Sequence, residues 1–200
     1  MILAFLPAQT AETLEIIATV TFIIYLVLQV CHSRYMWLLY IPSCICAALN
    51  FFNSSTWAFA TLNIYYVVMG VVGIIRWKRD AAQTEGNGNS ILLHRLPAKV
   101  LIISAAGAVV LCPALFFLLR ALADPNPFLD ALTTTLSIIG TAWLTRSYIQ
   151  QWWIWIVADV FAIMMNVNLG NTWFVVQFAF CIASSFLGLW LWSRKGQYVD

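Results

Sequence analysis

The sequence predicts an all-α membrane protein: seven transmembrane helices in a 3+1+3 parallel-repeat arrangement. Three observations lead there: a composition poor in charge, a division into seven apolar runs of membrane-spanning length, and a correspondence between the first three runs and the last three. Hydrophobic residues make up 62% of the 200-residue chain and charged residues 9%, and ten residues are Trp. A water-soluble domain of this size needs far more polar surface, so the natural solvent is lipid. The formal net charge is +2. No basic stripe interleaves with aromatics, so nucleic acid is not an expected partner.

A helix needs about 20 residues to cross the bilayer core. Runs of about that length occupy residues 11–30, 36–53, 57–77, 100–122, 128–144, 149–168 and 173–192. Short polar or turn-forming stretches separate them, among them Cys31-His32-Ser33-Arg34, the Pro125 and Pro127 pair, and Arg146-Ser147. Residues 1–10 are apolar but lack the basic start of a cleaved signal peptide, and are read as part of the mature protein. The expected organisation is a first three-helix unit at 11–77, a flexible hydrophilic cytoplasmic loop at 78–99, a linker helix at 100–122 and a second three-helix unit at 128–192.

With seven spans, alternate connections face opposite sides. One side, with its helix ends, holds Arg34, Arg76, Lys78, Arg79, Arg95, Lys99, Arg146, Arg194 and Lys195; the other holds Arg120 alone. Positively charged loops stay in the cytoplasm. The N-terminus is therefore expected outside, and the long loop and C-terminus inside.

A shift of 115 residues aligns Trp37 with Trp152, Asn53 with Asn168, Gly73 with Gly188, Trp77 with Trp192 and Arg79 with Arg194, and sets Glu15 against Asp130. Three spans plus one linker return the chain to its starting side, so the two units run in the same direction, related by an axis along the membrane normal. Glu15 and Asp130 stand near outer helix starts, where an acid suits the helix dipole. Pro42 and Pro113 fall within spans and should bend them.

Cys31, Cys44, Cys46, Cys112 and Cys181 are odd in number and lie mostly within apolar runs. The Cys44-x-Cys46 pair lacks metal or redox spacing. His32 and His94 have no metal-ligand partner at useful spacing, so neither a metal nor a cofactor is expected.

Polar groups at membrane depth carry the functional information, because a carboxylate at a helix centre costs about 3 kcal/mol on insertion scales. Asp159 lies near the middle of the sixth span. Trp152, Trp155 and Asp159 follow i, i+3, i+7 and so share one helical face. A cationic aromatic ring can stack on such indoles and find its counter-charge beside them. The third span offers Asn63, Tyr66, Gly70 and Gly73 on one stripe, and the seventh offers Gln177, Cys181, Ser184 or Ser185, and Gly188. Either stripe also suits helix packing. Asn166 shares the Asp159 face and can cap the end of its span.

At residues 146–159, RSYIQQWWIWIVAD, the sequence resembles the PnuC family of bacterial vitamin transporters, whose sixth helix carries a W-x-x-W motif matched by Trp152 and Trp155. The segment LNIYYVVMGVVGIIRW resembles that family's N-x-x-Y region, matched by Asn63 and Tyr66. The resemblance extends over the whole chain, and the 3+1+3 plan is similar to that of the sugar-transporting SWEET group. It implies a channel-like carrier in the bacterial inner membrane that is not an enzyme. Its substrate would be a small unphosphorylated vitamin, nicotinamide riboside in the best-known branch and thiamin or riboflavin in others. Transport would be facilitated diffusion, with a cytoplasmic vitamin kinase trapping the solute. Gln150 and Gln151 stand where an acid is common in the family, and Asp159 where the nicotinamide riboside branch has Asn.

The leading expectation is uptake of nicotinamide riboside or a related cationic vitamin. Trp152 and Trp155 would stack the ring, Asp159 would offset the charge, and Asn63, Tyr66 and Gln177 would bind hydroxyl or amide groups. Proton coupling through Asp159 and a homo-oligomeric state are both compatible with the sequence. An alternative of another class, a membrane thiol oxidoreductase, needs paired cysteines in exposed loops, and only Cys31 lies near one.

Overall fold

A computed structural model describes residues 7–53, 57–83, 91–170 and 172–199 of the chain. Among them are seven helices: α1 (Ala8–Val30), α2 (Met36–Asn53), α3 (Trp57–Gln83), α4 (Ala98–Ala121), α5 (Pro127–Leu144), α6 (Gln151–Asn168) and α7 (Thr172–Lys195). Two short strands join them, β1 (Ile91–Leu93) before α4 and β2 (Gly196–Tyr198) after α7. The chain divides into two compact units, Met1–Glu85 with α1 to α3 and Gly86–Asp200 with the rest. Among the described residues, three helices contain stretches long and apolar enough to cross a membrane, Ala60–Ala81, Ala98–Ala121 and Phe174–Lys195, as a multi-pass membrane protein requires.

The helix ends follow local chemistry. Pro127 opens α5 at the first helical position, where its missing N–H costs nothing. Asp130 lies in the first turn of that helix, buried, and accepts a hydrogen bond from Thr134 Oγ1 at 3.2 Å. Arg194 and Lys195 close α7, where cations complement the dipole. Pro42 and Pro113 stand inside α2 and α4, as expected. The side chain of Glu15 and residues 84–90, which hold the most hydrophilic stretch of the long connection, lie outside the described residues.

The turn closing α1 and the turn closing α5 are the same structure. His32 and Ser147 both adopt a left-handed backbone, with φ of 51° and 49°. Ser33 N–H donates to the Leu28 carbonyl at 2.9 Å, and Tyr148 N–H to the Trp143 carbonyl at 3.2 Å. His32 N–H reaches the Gln29 carbonyl at 3.0 Å, and Ser147 N–H the Leu144 carbonyl at 2.9 Å. These are the paired bonds that satisfy the last carbonyls of a helix. The next helices then start at Met36 and Gln151 and end at Asn53 and Asn168, every pair 115 positions apart (36 and 151, 53 and 168).

Packing repeats as well. The Trp37 indole covers Gly73 so closely that a Cβ on the glycine would collide with three ring atoms, and Trp152 covers Gly188 in the same way. Trp37 meets Trp77 edge to face at 5.6 Å and 83°, and Trp152 meets Trp192 at 5.1 Å and 82°. In each unit a glycine admits an indole from the preceding helix, and a second indole one turn on closes the contact.

One feature departs from the sequence expectation. The connection at 78–99, expected to be flexible, begins as helix, since α3 runs to Gln83. It ends as strand, since β1 pairs in parallel with β2 in the register Ile91 to Gly196, Leu92 to Gln197 and Leu93 to Tyr198. Ile91 and Leu93 are buried, a bridge joins His94 to Tyr148, and the Arg95 guanidinium lies 5.6 Å from the Tyr198 ring centroid. Three-residue strands carry no periodicity that a sequence pattern can register. The expected linker helix is α4, which belongs to the second compact unit and packs on α5, with Trp143 Nε1 donating to Ser104 Oγ at 3.0 Å.

Candidate functional site

The inward face of α6 carries buried polar groups, as does that of α5 beside it. Gln151, Trp152, Ile156, Ala158, Asp159, Ala162 and Asn166 are buried, whereas Trp153 is exposed. Trp155 is half-buried. The face that the tryptophan spacing predicts is therefore turned into the unit, packed between α5 and α7.

The two indoles of that face do different things. Trp152 is 1% exposed, its ring held between Gly188 and Trp192 in this conformation. Its position repeats that of Trp37, so its geometry is that of a packing wedge. Trp155 has a neighbour of another kind, Gly140 on α5. A Cβ at Gly140 would stand 3.1 Å from Cε2 and 3.4 Å from Cζ2 of the indole, and 3.2 Å from Ile154 Cγ2. Gly140 therefore sets how closely Trp155 approaches α5.

Asp159 follows Trp155 by one turn and is 7% exposed. Cys181 of α7 lies within its electrostatic reach, and among the described residues no hydrogen bond or ion pair compensates its carboxylate. An acid so placed is costly unless a cation or proton arrives. Asn166 is also buried, but its Nδ2 donates to the Ala162 carbonyl at 2.8 Å, so it serves its own helix.

The remaining expected residues are distributed differently. Asn63 and Tyr66 are half-buried on α3 in the first unit, where the Tyr66 ring lies 6.1 Å from Tyr40. Tyr25 extends this aromatic group, 4.7 Å from Tyr40. Gln177 is exposed on α7, one turn from the buried Cys181 and Ser185 stripe. The second unit thus brings Trp152, Trp155 and Asp159 together on one face, and leaves Gln177 outside it.

Sequence reading gave no binding role to Thr141 or Gln151. Both are fully buried, and among the described residues Thr141 Oγ1 and both amide atoms of Gln151 lack hydrogen-bond partners, as do the indole nitrogens of Trp152 and Trp155. The signal was present: Gln151, Trp155 and Asp159 follow i, i+4, i+8, a single ridge of an α-helix.

A family model described as Nicotinamide mononucleotide transporter matches residues 12–194, nearly the whole chain. The chain belongs to that family, the PnuC transporters. This family member is 21% identical over 143 residues to the nicotinamide riboside transporter PnuC of Escherichia coli (strain K12), covering 58% of the chain and 57% of that relative. The match to the same transporter of Shigella flexneri has the same identity and extent. The chain therefore spans little more than half the length of the curated relatives that it matches. Its fold is similar to that in a crystal structure of the vitamin B3 transporter PnuC, with a TM-score of 0.69 and 22% identity over 92% of this chain and 81% of that one. The proteins that this family member resembles are transporters rather than enzymes.

Proposed function

We propose that the protein is a vitamin carrier of the bacterial inner membrane. It takes up a small, unphosphorylated cationic solute, nicotinamide riboside first, by facilitated diffusion, and a cytoplasmic kinase traps the product. One observation carries this reading: a buried, uncompensated carboxylate, Asp159, stands one turn from an indole, Trp155, on the inward face of α6. An aromatic cation satisfies both groups at once, by charge pairing and by stacking. Trp155 stacks the ring, Asp159 offsets the charge, and Trp152 holds the helix that carries them. Asn63, Tyr66 and Gln177 supply hydroxyl or amide contacts to the rest of the solute.

The matching turns and Trp–Gly contacts support a 3+1+3 parallel repeat of the SWEET kind, in which the two three-helix units rock to give alternating access. The distribution of Lys and Arg supports an outer N-terminus and a cytoplasmic C-terminus. Thiamin is the second substrate reading, favoured by the same acid because it too is a cation. Riboflavin carries no cation to compensate Asp159.

The test is uptake and binding with protein in liposomes. Nicotinamide riboside should equilibrate across the membrane without accumulating under an imposed pH gradient. Asp159→Ala and Trp155→Ala should each weaken its binding by tenfold or more, a change of about 1.4 kcal/mol. Unaltered binding in both variants would refute the site, and tighter binding of thiamin would reassign the substrate.

A further inference from the structure

We propose that Gln151 is a specificity-determining residue, whose side-chain amide pairs with a carboxamide on the travelling solute. The ligand class is then an aromatic cation that bears a carboxamide. This rests on the carrier reading above and extends the recognition face by one turn.

Of the eight buried side-chain atoms without a hydrogen-bond partner among the described residues, six belong to Thr141, Gln150, Gln151, Trp152 and Trp155, where α5 meets the start of α6. Gln151 contributes both its Nε2 and its Oε1, and is 0% exposed. Sealing an amide away from water with neither donor nor acceptor satisfied is unfavourable. A cost concentrated at one seam calls for a compensating role.

The first unit serves as an internal control. Its residues at the corresponding positions are Met36, Tyr40 and Cys44, against Gln151, Trp155 and Asp159 in the second unit (36 and 151, 40 and 155, 44 and 159). Met36 is as fully buried as Gln151, and a side-chain hydrogen bond joins Tyr40 to Cys44. This helix therefore packs well on methionine at its foot and needs neither an amide nor an acid. The second unit replaces that quiet ridge with three groups that each await a partner.

Their order fits one molecule. Successive members of the ridge are one turn apart, about 6 Å along the helix. A single six-membered aromatic cation can present its ring to Trp155, its charge toward Asp159 and a ring substituent toward Gln151. A glutamine amide donates through nitrogen and accepts through oxygen, which a carboxamide answers on both counts. Because Gln151 is sealed in this conformation, the pairing forms as the seam between α5 and α6 opens to the solute.

The experiment compares nicotinamide riboside with its analogue lacking the carboxamide, by equilibrium binding to the purified protein and to Gln151→Met, the side chain that the first unit already accommodates. Wild type should prefer nicotinamide riboside by roughly tenfold or more, as expected for a buried hydrogen-bonded pair. Gln151→Met should erase that preference while leaving the analogue's affinity unchanged. Equal weakening of both ligands, or no weakening of either, overturns the proposal. A wild-type protein that does not distinguish the two ligands overturns it without any variant, so misfolding of Gln151→Met cannot shelter it. Trp155→Ala separates the two readings. If it weakens both ligands while Gln151→Met changes neither, the recognition face stands without Gln151; if it weakens neither, the face itself is refuted.

Discussion

The indole of Trp152 lies across Gly188 with no space for a methyl group between them. The glycine is a steric requirement of the contact between α6 and α7. Gly188→Ala should therefore destabilise the protein by about 1–3 kcal/mol, the usual cost of overpacking a rigid core. Gly73→Ala should do the same, since Trp37 covers that glycine equally closely. Gly107 on α4 is the control, because a Cβ there meets nothing within 4 Å. Gly107→Ala should be neutral, or stabilising by up to about 1 kcal/mol through helix propensity. Thermal unfolding of the detergent-solubilised variants tests all three, and an unshifted midpoint for Gly188→Ala would contradict the packing described.

The twin turns make a second prediction. A β-branched residue is poorly suited to a left-handed backbone, so Ser147→Val should lower stability by about 1–2 kcal/mol, whereas Ser147→Gly suits that conformation. His32 differs from Ser147 in that its ring stacks on Trp77 at 4.2 Å and 13°. His32→Gly therefore relieves the backbone but removes a ring contact, and should gain less than Ser147→Gly. The measurement is the difference between the two unfolding midpoints.

How much of this was legible in the sequence depended on side-chain size and spacing. Seven helices followed from apolar length, and α2 and α6 fell where the polar breaks put them. The pairing of Trp37 with Gly73 and of Trp152 with Gly188 was visible only as a matching pattern, because spacing along the chain does not say which indole covers which glycine. Asp159 was legible because an acid in an apolar run has few explanations. Trp152 reads two ways: its place in the tryptophan motif points to a ligand surface, and in this structure it is buried against Trp192. The β1 and β2 pair could not be read at all, since its partners lie about a hundred positions apart and neither strand has enough residues to alternate.

That pair provides a third prediction. A Cβ at Gly196 would run into Leu93 and the Trp192 carbonyl, so Gly196→Val should detach the tail while α7 stays helical. Val199 N–H donates to the Leu93 carbonyl at 3.0 Å in the intact structure. Hydrogen exchange at the Val199 amide should be slow in wild type and fast in the variant, and equal protection in both would show that the clasp survives the substitution.

The last prediction concerns Gly140, which stands where the first unit has Tyr25 (25 and 140). In the first unit the ring of Tyr25 fills the space beside Tyr40, at 4.7 Å. In the second unit the absence of a side chain at Gly140 lets the larger indole of Trp155 come up against α5, with ring atoms 3.1 and 3.4 Å from a Cβ placed there. Those distances are tight but not prohibitive, so Gly140→Ala should displace the indole by a few tenths of an ångström at a cost under about 1.5 kcal/mol. Gly140→Val adds two methyl groups and should displace the ring much further. If Trp155 stacks the solute, nicotinamide riboside binding should fall in the order wild type, Gly140→Ala, Gly140→Val, and it should fall more steeply than thermal stability does. Trp155→Ala should remove the dependence, because with no indole to displace, adding Gly140→Ala changes binding no further. Losses that simply add in the double variant would mean that Gly140 acts on the fold and not through Trp155.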